Sequence, residues 1–188
     1  MRKLISSVIV SLDGFAAGPK GELNMFKVEE EFFDMSNSLT EAADAVLYGK
    51  GTYGIMQAYW PTAGDQPNAS KHDKQHAAWY NKVPKYVLST TMKGADASNA
   101  TIISRNVADE IKKLKEQSGK NIQIFGSPGA VRSLTELGLI DEYHVFLFPV
   151  IIGQGIPLFK EMNQSLTLQL ISGKAMKSGA VALHYKKA

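Results

Sequence analysis

Two short segments carry residue types that grip an anion. Gly49-Lys50-Gly51-Thr52 follows one apolar run, and Gly126-Ser127-Pro128-Gly129 follows another. Each sits where a strand should hand over to a helix. A helix N-terminus presents unpaired N–H groups and the positive end of a dipole, which suits a phosphate. Glycine lets the backbone come close, because no Cβ intervenes. Lys50 adds a compensating charge, and Thr52 adds a hydroxyl for a cap or a ligand. Pro128 has no N–H, so the second turn offers fewer donors. Ser89-Thr90-Thr91, after a third apolar run, supplies more hydroxyls. Taken alone, each glycine segment is better explained as a tight strand–helix turn, and Ser89 to Thr91 as an ordinary Ser/Thr turn. Neither glycine turn has the GxGxxG or GxxxxGK[ST] spacing.

Other residues invite sharper readings. His72 and His76 stand four apart, as metal ligands do on a helix, but HDKQH lacks the glutamate of HExxH and a third ligand. No metal is expected there. Trp60, Trp79 and Tyr80 fit core or dimer packing as well as a substrate pocket. His144 and His184 fall in strands, where a satisfied structural histidine is the safer reading.

Composition narrows the classes. A chain of 188 residues suits one domain spanning 1–188, with enough length to bury a core. Without cysteine there is no disulfide scaffold, thiolate metal site or Cys nucleophile, which fits a reducing cytoplasm. The net charge of +3 is mild. Its lysines are dispersed, and Lys112, Lys113 and Lys115 read as a solvated helix face. Nucleic acid is therefore not an expected partner. A mildly basic pocket for an anion stays open. No apolar run reaches the roughly 18 residues of a membrane span, and Leu4 to Leu12 reads as a strand rather than a leader.

The elements that must position these turns follow from periodicity. Strands are expected at Leu4 to Leu12, Ala45 to Tyr48, Tyr86 to Ser89, Thr101 to Ser104, Ile122 to Phe125 and Glu142 to Val150. A terminal antiparallel pair is expected at Leu166 to Ile171 and Val181 to Tyr185. Helices are expected from Glu29 to Ala43, near Tyr53 to Ala58, from Asn106 to Gln117, and after Pro128 to Leu137. Phe32, Met35, Leu39 and Ala42 or Ala43 form the inward face of the first. Asn106 is expected to cap the third, with Asp109 three residues on. Tyr59 to Pro84 reads as a long polar stretch with a weak helical patch at Lys71 to Tyr80. Strands alternating with helices predict an α/β fold, its sheet mostly parallel with antiparallel C-terminal strands.

The blocks SLDGFAAG, AVLYGKGTY, PKYVLSTT and IQIFGSPGAVRSLTELGLIDEYHVFLFPVIIGQGIPLF occur in this order over almost the whole chain. In these it resembles the dihydrofolate reductase-like superfamily, in the subgroup of the C-terminal reductase domain of the bifunctional riboflavin-biosynthesis enzyme. The resemblance implies a three-layer dihydrofolate reductase-like fold. It also implies NADPH as cofactor, a small-molecule substrate and a homodimer. Gly49, Lys50 and Thr52 match the family's Gly-Arg-x-Thr turn at the cofactor phosphates, with Lys in place of Arg. Ser89 and Thr90 match residues near the adenosine 2′-phosphate. Gly126, Ser127 and Gly129 match the turn under the pyrophosphate. Ser11 and Leu12 match the strand end near the nicotinamide. Gly153 and Gly155 match a late glycine pair, for which a simple bend is nearly as good a reading.

The implied reaction is hydride transfer, in which the cofactor supplies the chemistry. A C=O or C=N acceptor also needs a proton, and Asp13 and Glu29 are the candidate donors. Asp13-Gly14 is equally a turn former, and Glu29 equally a helix-dipole carboxylate. Tyr59-Trp60-Pro61-Thr62 stands where the riboflavin enzyme carries its substrate-serving Asp-Asp-Pro run. The substrate is thus left open between a heterocycle and a carbonyl compound. That departure also favours the alternative, a catalytically inactive nucleotide-binding or regulatory protein on the same fold.

Overall fold

Alternation of apolar side chains along the strands divides the molecule into layers. The computed structural model describes residues 1–93 and 99–188. On strand β3 (Ala43–Gly49), Ala45 and Leu47 face one cluster while Val46 and Tyr48 face another. Buried on both faces, such a strand belongs in the middle of a covered sheet. The sheet holds eight strands in the order β5-β4-β3-β6-β1-β7-β10-β9. Its members are β1 (Leu4–Ser11), β3, β4 (Lys85–Leu88), β5 (Ala100–Ile103), β6 (Asn121–Phe125), β7 (Glu142–Phe148), β9 (Leu168–Ala175) and β10 (Val181–Lys187). The pairings from β5 through β7 are parallel, and β10 runs antiparallel to both its neighbours. The expected mixed sheet is what forms.

Helices α1 (Glu30–Glu41), α2 (Lys50–Ala63) and α3 (Lys71–Lys82) cover one face. Tyr53, Tyr80 and Phe125 pack there, and Phe32 and Met35 meet Phe146 and Phe148 beside them. Helices α4 (Val107–Glu116) and α5 (Pro128–Glu136) cover the other face through Ile111, Leu114, Val131 and Leu134. A separate two-stranded sheet joins β2 (Phe15–Ala17) to β8 (Ile156–Pro157). Among the described residues no helix is long and apolar enough to cross a membrane.

Several expectations need correction. The stretch from Tyr59 to Pro84 is mostly helical: α2 continues through Pro61 to Ala63, and α3 is a full helix. A capping box between Ser70 and Asp73 starts α3, and buried His76, Ala77 and Tyr80 hold it down. Packing thus overrides a weak local pattern. On α1 the most buried positions are Ser36 and Thr40, and of the two alternatives at its end Ala43 is buried and Ala42 exposed. Asn106 does occupy the cap position of α4, but in the left-handed region at φ 50, with no side-chain cap bond. Lys115 is buried rather than solvated, its Nζ donating to Leu139 O at 3.1 Å and Asp141 Oδ1 at 2.9 Å. The strand pair β2–β8 lies in segments where the sequence predicts no strand.

Candidate active site

The carboxyl ends of parallel strands are where an open α/β sheet binds ligands. Here β4, β3 and β6 are adjacent, and Ser89, Gly49 and Gly126 follow or end them. A cavity of about 870 Å³ lies over these ends. Gly49, Lys50, Gly51 and Thr52 line it from β3 and α2; Gly126, Ser127 and Gly129 from β6 and α5; Ser89, Thr90 and Thr91 from the turn after β4. Segments remote in sequence therefore converge on one space.

The two glycine turns are joined to each other. The Gly49 N–H donates to Ser127 Oγ at 2.8 Å. A Cβ on Gly49 would stand 3.5 Å from that hydroxyl, an ordinary contact that leaves the two turns in touch. Gly126 and Ser127 are both left-handed, at φ 54 and φ 55. That costs glycine little and serine more. The strained serine aims its hydroxyl back at β3 and so sets the spacing of the two helix starts. The first intrahelical bond of α5 is Val131 N–H to Ser127 O at 2.9 Å. The N–H groups of Gly129 and Ala130 precede it and have no intrahelical acceptor. At Gly51 and Gly129 a Cβ would meet nothing within 4 Å, so both face open space.

Lys50 is exposed and reaches the third segment, its Nζ donating to Thr91 Oγ1 at 3.4 Å. Ser89 Oγ accepts from the Met92 N–H at 2.9 Å, which leaves its own proton free to donate. The rest of the lining is largely apolar. Leu23, Phe32, Ile55, Met56 and Ile156 belong to it, with Ser36 of α1 and Lys20 of the loop after β2.

Four expected site residues lie outside this lining. Ser11 is fully buried; its Oγ donates to Asp13 Oδ1 at 2.6 Å and accepts from the Phe15 N–H at 2.9 Å. Leu12 is exposed, its N–H donating to Val150 O. Asp13 accepts from Ser11, from the Ile152 N–H at 3.1 Å and from the Gly153 N–H at 2.7 Å. These donors, Ser11 first, hold its carboxyl below the usual range. A carboxylate so engaged is a clip between two loops. Glu29 precedes α1, and its carbonyl, not its carboxylate, accepts from Phe32 and Phe33. No Asp, Glu or His lines the cavity among the described residues.

Gly153 and Gly155 belong to that loop clip. Gly153 lies at φ 77, and a Cβ on Gly155 would come within 2.2 Å of Ala17 O. Trp60 and Trp79 pack with His76 and Phe125 beneath α2 and α3. Sequence reading missed Phe32, Ser36 and Lys20 as cavity residues. The only available signal was the 32, 36 spacing, which reads as core.

Known proteins share this fold. A model of the RibD C-terminal domain matches residues 2–182. The uncharacterized protein YyaP of Bacillus subtilis is 30% identical over 98% of this chain and 94% of its own. YwjB of the same organism, also uncharacterized, is 27% identical over 100% of this chain and 99% of its own. Among solved structures, a putative riboflavin biosynthesis protein from Shewanella sp. PV-4 superposes with a TM-score of 0.73 at 22% identity, covering 99% of both chains. A pyrimidine reductase-like protein from Corynebacterium diphtheriae gives 0.69 at 17% identity, covering 100% of this chain and 92% of that one. A Thermotoga maritima diaminohydroxyphosphoribosylaminopyrimidine deaminase/5-amino-6-(5-phosphoribosylamino)uracil reductase gives 0.68 at 12% identity, covering 100% of this chain and 57% of that one. At these identities the structural likeness is one of fold.

Proposed function

The chain belongs to the RibD C-terminal domain family, and from that membership and its cavity we propose an NADPH-dependent reductase acting on a small heterocyclic or carbonyl substrate. The observation that carries this reading is the convergence of Gly49–Thr52, Gly126–Gly129 and Ser89–Thr91 on one space at adjacent strand ends. The donors suit a dinucleotide phosphate: unpaired first-turn N–H groups, an ammonium and hydroxyls. Open space beside Gly51 and Gly129 gives a phosphate room to approach the backbone.

NADPH, when bound, supplies hydride. Lys50 and the start of α5 hold phosphate, with Ser127 fixing how far apart α2 and α5 begin. Lys50, Ser89 and Thr90 favour a cofactor carrying a 2′-phosphate. Phe32, Leu23 and Met56 exclude water from the apolar end, where an unsaturated ring or carbonyl packs. With no acid or imidazole in the lining among the described residues, the proton comes from water or a hydroxyl-bearing side chain such as Ser36. The reading extends to a cytoplasmic homodimer.

The same lack of an acid favours one second reading, a nucleotide-binding protein without turnover. Titrating the protein with NADPH and NADH, followed by quenching of tryptophan fluorescence, separates the cases. NADPH should bind more tightly than NADH, and Lys50→Ala should narrow that preference. Binding of neither nucleotide would overturn both readings. Binding without oxidation across a panel of heterocycles and carbonyl compounds would favour the second.

A further inference from the structure

A second cluster lies away from the cavity, at the amino end of β7. Glu142 and His144 are two apart on β7, so they share a face. Antiparallel pairing sets His184 of β10 directly opposite His144. The three residues offer donor atoms that all lie within 4.8 Å of one another. His184 Nε2 is 2.9 Å from Glu142 Oε2, and the two imidazoles stack with centroids 4.0 Å apart. All three are half-buried, so an ion can reach them from solvent.

We propose that Glu142, His144 and His184 form a binding site for one divalent transition-metal ion of the zinc type. Two imidazoles with one carboxylate is a donor set for first-row metals, whereas magnesium and calcium prefer oxygen ligands alone. Zinc bonds of roughly 2.0–2.2 Å hold tetrahedral donors about 3.3–3.6 Å apart. Both stacked imidazoles turn out of their parallel arrangement so that their in-plane lone pairs converge on the ion. The ion takes the place of the His184–Glu142 contact and ties β10 to β7. Two cations face the cluster. Lys3 Nζ is 2.6 Å from Glu142 Oε1, and Lys186 stands opposite Glu142 on β10. Lys3 therefore competes with a metal for the carboxylate. The other histidine pair is not equivalent, since His72 bonds Asn37 and His76 is buried among aromatic rings.

The test uses the full chain stripped with EDTA and desalted. Cobalt(II) is titrated by visible absorption and zinc by calorimetry, near pH 7.5. One ion per chain is expected, with a Tm rise of about 5–10 °C at a hundredfold excess over Kd. His144→Gln and His184→Gln should each weaken binding at least about 10-fold. Lys3→Met should tighten it, and His72→Gln should leave it unchanged. Circular dichroism confirms that each variant is folded. Absence of both cobalt absorption and zinc heat would overturn the proposal. So would binding that survives in folded His144→Gln and His184→Gln.

Discussion

His76 should make this protein sensitive to acid, and the structure gives the size of the effect. Its side chain is 4% exposed, and among the described residues neither ring nitrogen has a hydrogen-bond partner. Its ring lies 3.9 Å from that of Trp60 and 5.3 Å from that of Trp79, centroid to centroid. Burial, reinforced by the nearby His72, depresses its pKa from 6.5 to about 3. The folded protein therefore binds fewer protons than the unfolded chain between these values. Stability is full above pH 6.5, falls as pH drops toward 3, and levels off below that. Each pH unit within the window costs about 1.4 kcal/mol, so at pH 4 the loss from this one ring is about 3 kcal/mol. That is a large part of the roughly 5–15 kcal/mol that a domain has. The perturbation is His76→Phe, which suits a pocket of aromatic rings and cannot take a proton. Urea unfolding at pH 7 and pH 4 measures both proteins. The parent should lose about 3 kcal/mol more than the variant between the two conditions. Equal losses would refute the reasoning, because they would mean that the folded His76 takes up its proton as readily as the unfolded one.

Other outcomes follow from single contacts. Ser127→Ala removes the acceptor of the Gly49 N–H and should cost about 1–3 kcal/mol in chemical unfolding, with NADPH affinity reduced as the two helix starts drift apart. Gly155→Ala drives a methyl into Ala17 O and should destabilise by about 1–3 kcal/mol; an unchanged Tm would show that β2 and β8 separate freely. Asp13→Ala unties the loops held by Ile152 and Gly153, so Tm should fall while NADPH affinity holds. A loss of turnover at unchanged Tm would instead restore Asp13 to the chemistry.

The sheet was legible in the sequence because its strands are nearly continuous apolar runs. Ala45 to Tyr48 and Ile122 to Phe125 need no partner to be recognised. Glycine turns were legible too, since Gly49 and Gly126 punctuate those runs. Helix α3 was not, because its sequence is polar along most of its length and its core contacts come from His76, Ala77, Trp79 and Tyr80. Its helicity comes from packing on α1 and α2 and from the Ser70–Asp73 box.

For the site, the sequence by itself determined which residue types are able to bind a phosphate and in which turns they stand. Hydrogen-bond capacity and backbone freedom are properties of the residues themselves. Tertiary structure decided which of those capacities remain available. It placed Gly49, Ser89 and Gly126 at neighbouring strand ends, although they are scattered along the chain. It also spent the carboxylate of Asp13 on Ser11, Ile152 and Gly153. An acceptor already satisfied by its neighbours is lost to a ligand, and only the folded chain fixes which neighbours arrive. The same holds for Glu142, His144 and His184, which strand pairing alone brings together.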